Sequence, residues 1–179
     1  MWFNPETKQV FTTHSEIRTE FPNVSLPSVM TDASIASVGV LPVTPTTPPA
    51  FDRLTQKVVE AQPVLIAGEW IQQWGVIALT TEEQQSAALQ LKEEIEAATQ
   101  KRLDDFASTR NYDSILSACT YATSAVPKFA AEGQYCVEAR DATWTKLLSM
   151  LAEVEAGTRP VPTGYADIEP DLPVLAWPA

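Results

Sequence analysis

Histidine is almost missing from this 179-residue chain, which has one, and cysteine is scarce at two. A Ser-His-Asp or Cys-His arrangement would have to use His14. That residue sits in the polar run Thr12-Thr13-His14-Ser15 and reads as a solvated loop histidine. Cys119 and Cys136 lie 17 positions apart in apolar stretches without Cys-x-x-Cys spacing. They read as buried free thiols, with a disulfide between neighbouring helices as the alternative. No glycine-rich phosphate loop, His-Glu-x-x-His or Asp-x-Asp-x-Asp pattern occurs, so nucleotide and metal chemistry lose their usual anchors. The expectation is a non-enzyme without cofactor or metal.

Basic charge is also in short supply. Twelve Lys and Arg face 23 Asp and Glu, a net charge of −11, and a field of that sign repels phosphate backbones and anionic lipid. Nucleic acid and membrane surfaces are therefore not expected partners. No apolar run approaches the roughly 18 residues a membrane span needs, and no positively charged apolar leader opens the sequence. Synthesis and folding in the cytoplasm are expected. After Thr80 there are 16 carboxylates against 8 basic groups, and before it 7 against 4. The excess reads as a solvated helical face, with a docking surface for a basic partner as the alternative.

Glycine is rare too, 6 residues against 14 prolines, which points to extended connections rather than flexible ones. Met1-Trp2-Phe3-Asn4-Pro5 leading into Thr7-Lys8-Gln9-Val10-Phe11 reads as two short strands around the Asn4-Pro5 turn. A brief helical turn is expected at Ser15 to Phe21, with Ser15 as its cap. Pro22, Pro27, Pro42, Pro45, Pro48 and Pro49 then forbid any long helix, and residues 41–50 read as a proline-rich linker.

The clearest β signal is a hairpin. Lys57 to Ile66, then Ala67-Gly68, then Glu69 to Leu79 reads as two strands joined by a tight turn. Pro63 lacks a ladder donor, so the first strand is an edge or is interrupted there. Trp70 and Trp74, an even interval apart, share one face of the second strand. They read as the packed aromatic face of a small sheet, or as a protein-binding patch.

Thr80-Thr81-Glu82-Glu83 fits a capping box and starts a helix that runs to about Thr109. Ala88, Leu91, Ile95, Ala98 and Arg102 form its narrow stripe, with Leu89, Leu103 and Phe106 outside it; such a helix suits close packing or a coiled-coil seam. A second helix is expected over Asn111 to Ser124. A third runs from Pro127, suited to a first turn, to Glu155, with Gly157 as its stop. Its apolar side carries Phe129, Gly133, Cys136 or Val137, Arg140, Trp144, Leu147, Leu148, Leu151 and Val154. Trp144 and the leucines read as core, and the short gap between the first and third helices folds them into a hairpin or bundle. Five prolines from Pro160 to Pro178 keep the tail extended, along a surface or mobile. Glu82-Glu83, Glu93-Glu94 and Asp104-Asp105 recur about 11 residues apart on one helix, which reads as a solvated face rather than a catalytic carboxylate pair.

The expected fold is α+β: a small antiparallel β region over residues 1–79, helices over 80–157, and an extended tail over 158–179. Trp70, Trp74, Leu91, Ile95, Trp144, Leu148, Leu151 and Trp177 are the candidate partner-binding residues.

Two blocks carry a family resemblance. The first comprises Trp2-Phe3-Asn4, Ser15-Glu16-Ile17-Arg18, Phe21-Pro22-Asn23-Val24-Ser25-Leu26-Pro27, Val38-Gly39-Val40, Pro63-Val64-Leu65 and Gly68-Glu69-Trp70-Ile71-Gln72-Gln73-Trp74-Gly75-Val76. The second comprises Asn111 to Ile115, Ser117 to Tyr121, Phe129 to Gln134, Trp144, Ala156 to Thr163, Leu172-Pro173 and Trp177-Pro178. Together they resemble phage and prophage tail proteins encoded beside tail fibres, described as tail fibre assembly or accessory proteins. The least distinctive part is the helix from Thr81 to Thr109. The resemblance implies a chaperone or accessory subunit whose partner is the tail fibre protein, with baseplate proteins or a second copy as further partners. The alternative is a permanent component of the virion tail fibre or baseplate. Its implied place of work is the host cytoplasm during assembly, or the virion tail, and it brings no functional residues with it.

Overall fold

The computed structural model describes residues 1–178. The fold is α+β, with strands first and long helices after them. It divides into two compact units, Met1–Gln84 and Gln85–Ala179.

In the first unit, β1 (Trp2–Asn4) and β2 (Gln9–Phe11) pair antiparallel with Trp2 opposite Phe11. The buried Asn4 makes the turn between them, its Oδ1 accepting from the amides of Glu6 at 2.9 Å and Thr7 at 3.2 Å. Helix α1 (His14–Glu20) starts one residue before the expected turn. Its cap is Thr13, not Ser15, because only a residue three before Glu16 closes a reciprocal box with that carboxylate. Two elements in the proline-rich stretch escaped the sequence pattern: α2 (Asp32–Ala36), capped by Thr31, and β3 (Leu41–Thr44). The first four residues of the expected linker are thus a strand. Pro42 is tolerated because the β3 pairing with β5 begins only at Val43 opposite Trp70, leaving no ladder for its missing N–H.

The hairpin forms as expected, from β4 (Gln56–Ile66) and β5 (Glu69–Ala78). The turn residues Ala67 and Gly68 have φ of 51° and 90°, the paired left-handed geometry of a two-residue I′ turn. Sheet order is β2-β1-β3-β5-β4, with β3 and β5 parallel and the other pairs antiparallel. Both sequence-based alternatives for Pro63 hold. β4 is an edge, and its register jumps from Ala61 opposite Gln73 to Val64 opposite Ile71, so one extra residue bulges out at Gln62-Pro63. Phe11, Ile17, Met30, Ile35 and Val40 make the buried core, with Trp2, Phe21, Leu26 and Val38 packed on it.

Helix α3 (Thr81–Ser108) opens on the expected box: the Thr80 amide donates to Glu83 at 2.9 Å, and the Glu83 amide to the Thr80 hydroxyl at 3.3 Å. Its buried residues are Leu91, Ile95, Thr99, Leu103 and Ala107. The expected stripe is buried only at Leu91 and Ile95: Ala88 is exposed, and Leu103, placed outside the stripe, is wholly buried. Spacing of four advances the buried ridge by about 40° per step around a 3.6-residue helix. The end of α3 therefore turns toward a cluster of Leu103, Ala107, Ile115, Ala118 and Cys136. Asn111, at φ 64°, ends the helix in a Schellman arrangement with the Tyr112 amide bonded to the Ala107 carbonyl.

The expected helix at 111–124 shortens to α4 (Ile115–Cys119) and a 3-10 turn at Thr120–Thr123. Ser114 caps α4, and the Asp104 carboxylate takes the Ile115 amide at 2.8 Å. Helix α5 (Pro127–Glu155) has the expected ends, and Gly157 at φ 70° closes it with the Thr158 amide on the Glu153 carbonyl. Its buried face is Glu132, Gly133, Cys136, Ala139, Thr143 and Met150, rotated from the expected one. The cause is that small and polar residues, not the leucines, fill the tight space here. A Cβ on Gly133 would lie 2.3 Å from the Ala122 nitrogen and 2.4 Å from the Tyr121 carbonyl carbon. Thr99 and Thr143 satisfy their buried hydroxyls on the carbonyls of Ile95 and Ala139, at 2.8 and 2.7 Å. The tail is extended except for 3-10 turns at Tyr165–Asp167 and Glu169–Asp171, and Ile168 and Leu172 are buried.

Candidate partner-binding surfaces

The candidate residues fall into four environments. Trp70 and Trp74 are half-buried on one face of β5 and satisfied within the first unit. The Trp70 ring lies 4.9 Å from Phe3, and Trp74 Nε1 donates to the Thr46 carbonyl at 3.1 Å. The Thr46 hydroxyl in turn donates to the Gln72 carbonyl at 2.9 Å. The segment after β3 is thereby clipped along β5 at Gln72 and Trp74.

Leu91 and Ile95 are buried. Trp144 is half-buried against the Leu103–Cys136 cluster. None of the three is presented to a partner. Leu148 and Leu151 are: they are 63% and 37% exposed, against the expectation that the α5 leucines are core. Between Asp141 and Glu153 every exposed side chain of α5 is uncharged, namely Ala142, Thr145, Leu148, Ser149, Leu151 and Ala152. In a chain of net charge −11, this stretch of helix surface carries no carboxylate for a partner to desolvate.

Trp177 occupies the fourth environment. Its indole stacks on Phe106 at 4.3 Å and 16°, with Tyr112 and Tyr135 at 6.1 and 6.2 Å. The Arg110 guanidinium sits 5.3 Å from its ring centre, and Nε1 donates to the Thr109 hydroxyl at 2.8 Å. Arg110 is held by Glu132, a carboxylate only 3% exposed that also accepts from the Tyr112 hydroxyl at 2.8 Å. Burial, reinforced by that hydrogen bond and charge, pushes the Tyr112 phenol up to about 12. This cluster has no periodic signature. Its rings come from positions 106, 112, 135 and 177, and only the fold assembles them.

The paired acids divide. Glu82, Glu93, Glu94 and Asp105 are exposed, as expected. Glu83 and Asp104 are structural: the hydrogen bond from Lys57, and after it the one from the Thr80 amide, holds the Glu83 carboxyl below the usual range, and Asp104 caps α4. Both cysteines are free, Cys136 buried and Cys119 half-buried. Burial raises both thiols, Cys136 to about 11, which leaves little nucleophilic thiolate near neutral pH. Among the described residues no group of three His, Cys, Asp or Glu is placed to hold a metal, and no helix is long and apolar enough to cross a membrane.

Compared with protein-family models, with curated proteins and with solved structures, the chain matches none.

Proposed function

We propose that this chain is a non-enzymatic phage tail protein that binds the tail fibre, as an assembly chaperone or an accessory subunit. The observation that carries the binding half of the proposal is the carboxylate-free stretch of α5 between Asp141 and Glu153, where Leu148 and Leu151 stand exposed in an acidic chain. A leucine on a helix surface rewards a partner that covers it with about 25 cal/mol for each Å² of apolar area. The identity of the partner rests on the two-block resemblance to tail fibre assembly proteins.

Coexpression with the tail fibre protein followed by size-exclusion chromatography tests the reading. A stable complex or a gain in soluble fibre is expected, and L148D/L151D, altering side chains at the surface of α5, is expected to abolish it. The absence of both a complex and a gain in fibre solubility would sink the proposal. Mass spectrometry of purified particles then separates a chaperone, absent or far below stoichiometric, from a retained subunit.

A further inference from the structure

Small residues let α5 meet α4 and the 3-10 turn after it at backbone distance, and both thiols stand at that crossing. Gly133 faces Tyr121 and Ala122 so closely that a Cβ there would lie 2.3 Å from the Ala122 nitrogen. One turn on, the wholly buried Cys136 shares a cluster with Ile115 and Ala118, and Cys119 packs against it. Advancing along α5 from 133 to 136 thus steps back along the facing segment from 122 to 118 and 119. The two segments run antiparallel, and Cys119 and Cys136 fall at the same level.

A disulfide needs Cα atoms about 4.4–6.8 Å apart. Helices held off by large side chains pack about 8–10 Å apart, so a crossing lined by Gly133, Ala118 and Ala122 is what brings a pair within reach. Each thiol also feels its surroundings at this crossing. Burial, and after it the neighbouring Cys119, pushes the Cys136 thiol up to about 11. At Cys119 burial again raises the thiol, and the Arg140 guanidinium opposes it. Half-buried and near a cation, Cys119 is the sulfur that an oxidant meets first.

We propose that Cys119 and Cys136 form a redox clamp, free thiols in reducing surroundings and an intramolecular disulfide joining α4 to α5 in oxidising ones. With oxidised glutathione as the oxidant, the Cys119 thiolate attacks one glutathione sulfur and releases the first glutathione thiolate. Cys136, on losing its proton, attacks Cys119 Sγ in the mixed disulfide and expels the second. Two protein thiols are oxidised, and the glutathione disulfide is reduced to two thiols that carry away the two protons. The clamp closes the loop from 119 to 136, which presents Tyr121, Val126 and Phe129 to solvent, and narrows the ensemble of the unfolded chain. It lies within the second unit and operates whichever partner the chain binds.

The test uses the full, folded chain, incubated with oxidised glutathione at about pH 8.5, where more thiolate is present, beside a sample kept in dithiothreitol. An intact mass two hydrogens below that of the reduced chain is expected. Trypsin cuts after Lys128, between the two cysteines, so the clamp is read as peptide 111–128 joined to peptide 129–140. The clamped chain is expected to unfold at a midpoint higher by roughly 5–15 °C. Cys136→Ala is expected to stop at the glutathione adduct on Cys119, and Cys119→Ala to stay unreacted. Should Cys136→Ala perturb the fold, the peptide map of the parent chain alone decides. The proposal is overturned by a parent chain that keeps both thiols or halts at the glutathione adduct, by a disulfide between two chains, or by a joined peptide that appears only in urea. L148D/L151D leaves both cysteines in place, so this proposal and the fibre proposal fail separately.

Discussion

Replacing Gly133 with alanine sets two opposing effects against each other within one residue. In an exposed helix the change gains about 1 kcal/mol of helix propensity. At Gly133, however, the new methyl meets backbone atoms of the 3-10 turn, the Ala122 nitrogen at 2.3 Å, the Tyr121 carbonyl carbon at 2.4 Å and the Ala122 Cα at 2.9 Å. No side-chain rotation relieves a clash with backbone, so the turn and α5 must separate. That separation loosens the seat of Ile115 and Ala118 in the buried cluster. Overpacking typically costs about 1–3 kcal/mol when side chains yield, and backbone contacts lie at or above the upper end. The net expectation is a loss of at least about 2 kcal/mol, which lowers the midpoint of a unit this size by roughly 8–16 °C. Thermal and urea unfolding followed at 222 nm measure it, with Ala131→Gly as the control: that exposed position in the same helix is expected to lose only about 1 kcal/mol. A Gly133→Ala protein more stable than the parent would show that propensity wins and would refute the close approach.

Trp177→Ala removes the stack on Phe106 and the Arg110 contact; a loss of about 2 kcal/mol from the second unit and a weakened near-ultraviolet circular dichroism signal are expected. Ala67→Asn replaces an L-residue strained at φ 51° with one that tolerates the left-handed region. It is expected to stabilise the protein by up to about 1 kcal/mol in urea unfolding. The Tyr112 phenol, pushed up to about 12 from 10.0, binds its proton more tightly folded than unfolded. Its contribution is whole below pH 10 and is lost as pH rises from 10 toward 12. Titration at 295 nm should lose one late-ionising phenol in Tyr112→Phe, and that variant should show a shallower fall in stability over this window.

Much of the fold was legible because local chemistry decided it. The Ala67-Gly68 turn, the box at Thr80 and the ends of α5 each depend on residues a few positions apart. β3 was not legible: Leu41–Thr44 is short and contains Pro42, and its strand character comes from β1 and β5 on either side. The buried faces of α3 and α5 were read by hydrophobicity, which favours Leu148 over Thr143. Packing at close range instead selected Gly133, Ala139 and Thr143, the last with its hydroxyl returned to the helix. Of the candidate residues, Leu148 and Leu151 alone stand exposed, and Trp177 is held by rings that no sequence spacing brings together.

The bulge at Gln62-Pro63 bears on solubility. β4 is an eleven-residue border strand, long enough to recruit neighbouring molecules into a growing β-stack. Its last three residues, Val64-Leu65-Ile66, are uncharged and about half exposed. The extra residue breaks the strand into two runs, and the proline offers an incoming strand no donor at the break. Straightening the strand, by deleting Gln62 and replacing Pro63 with valine, would leave the hairpin more regular and the protein harder to keep in solution. The irregularity thus trades a little ladder strength for resistance to precipitation.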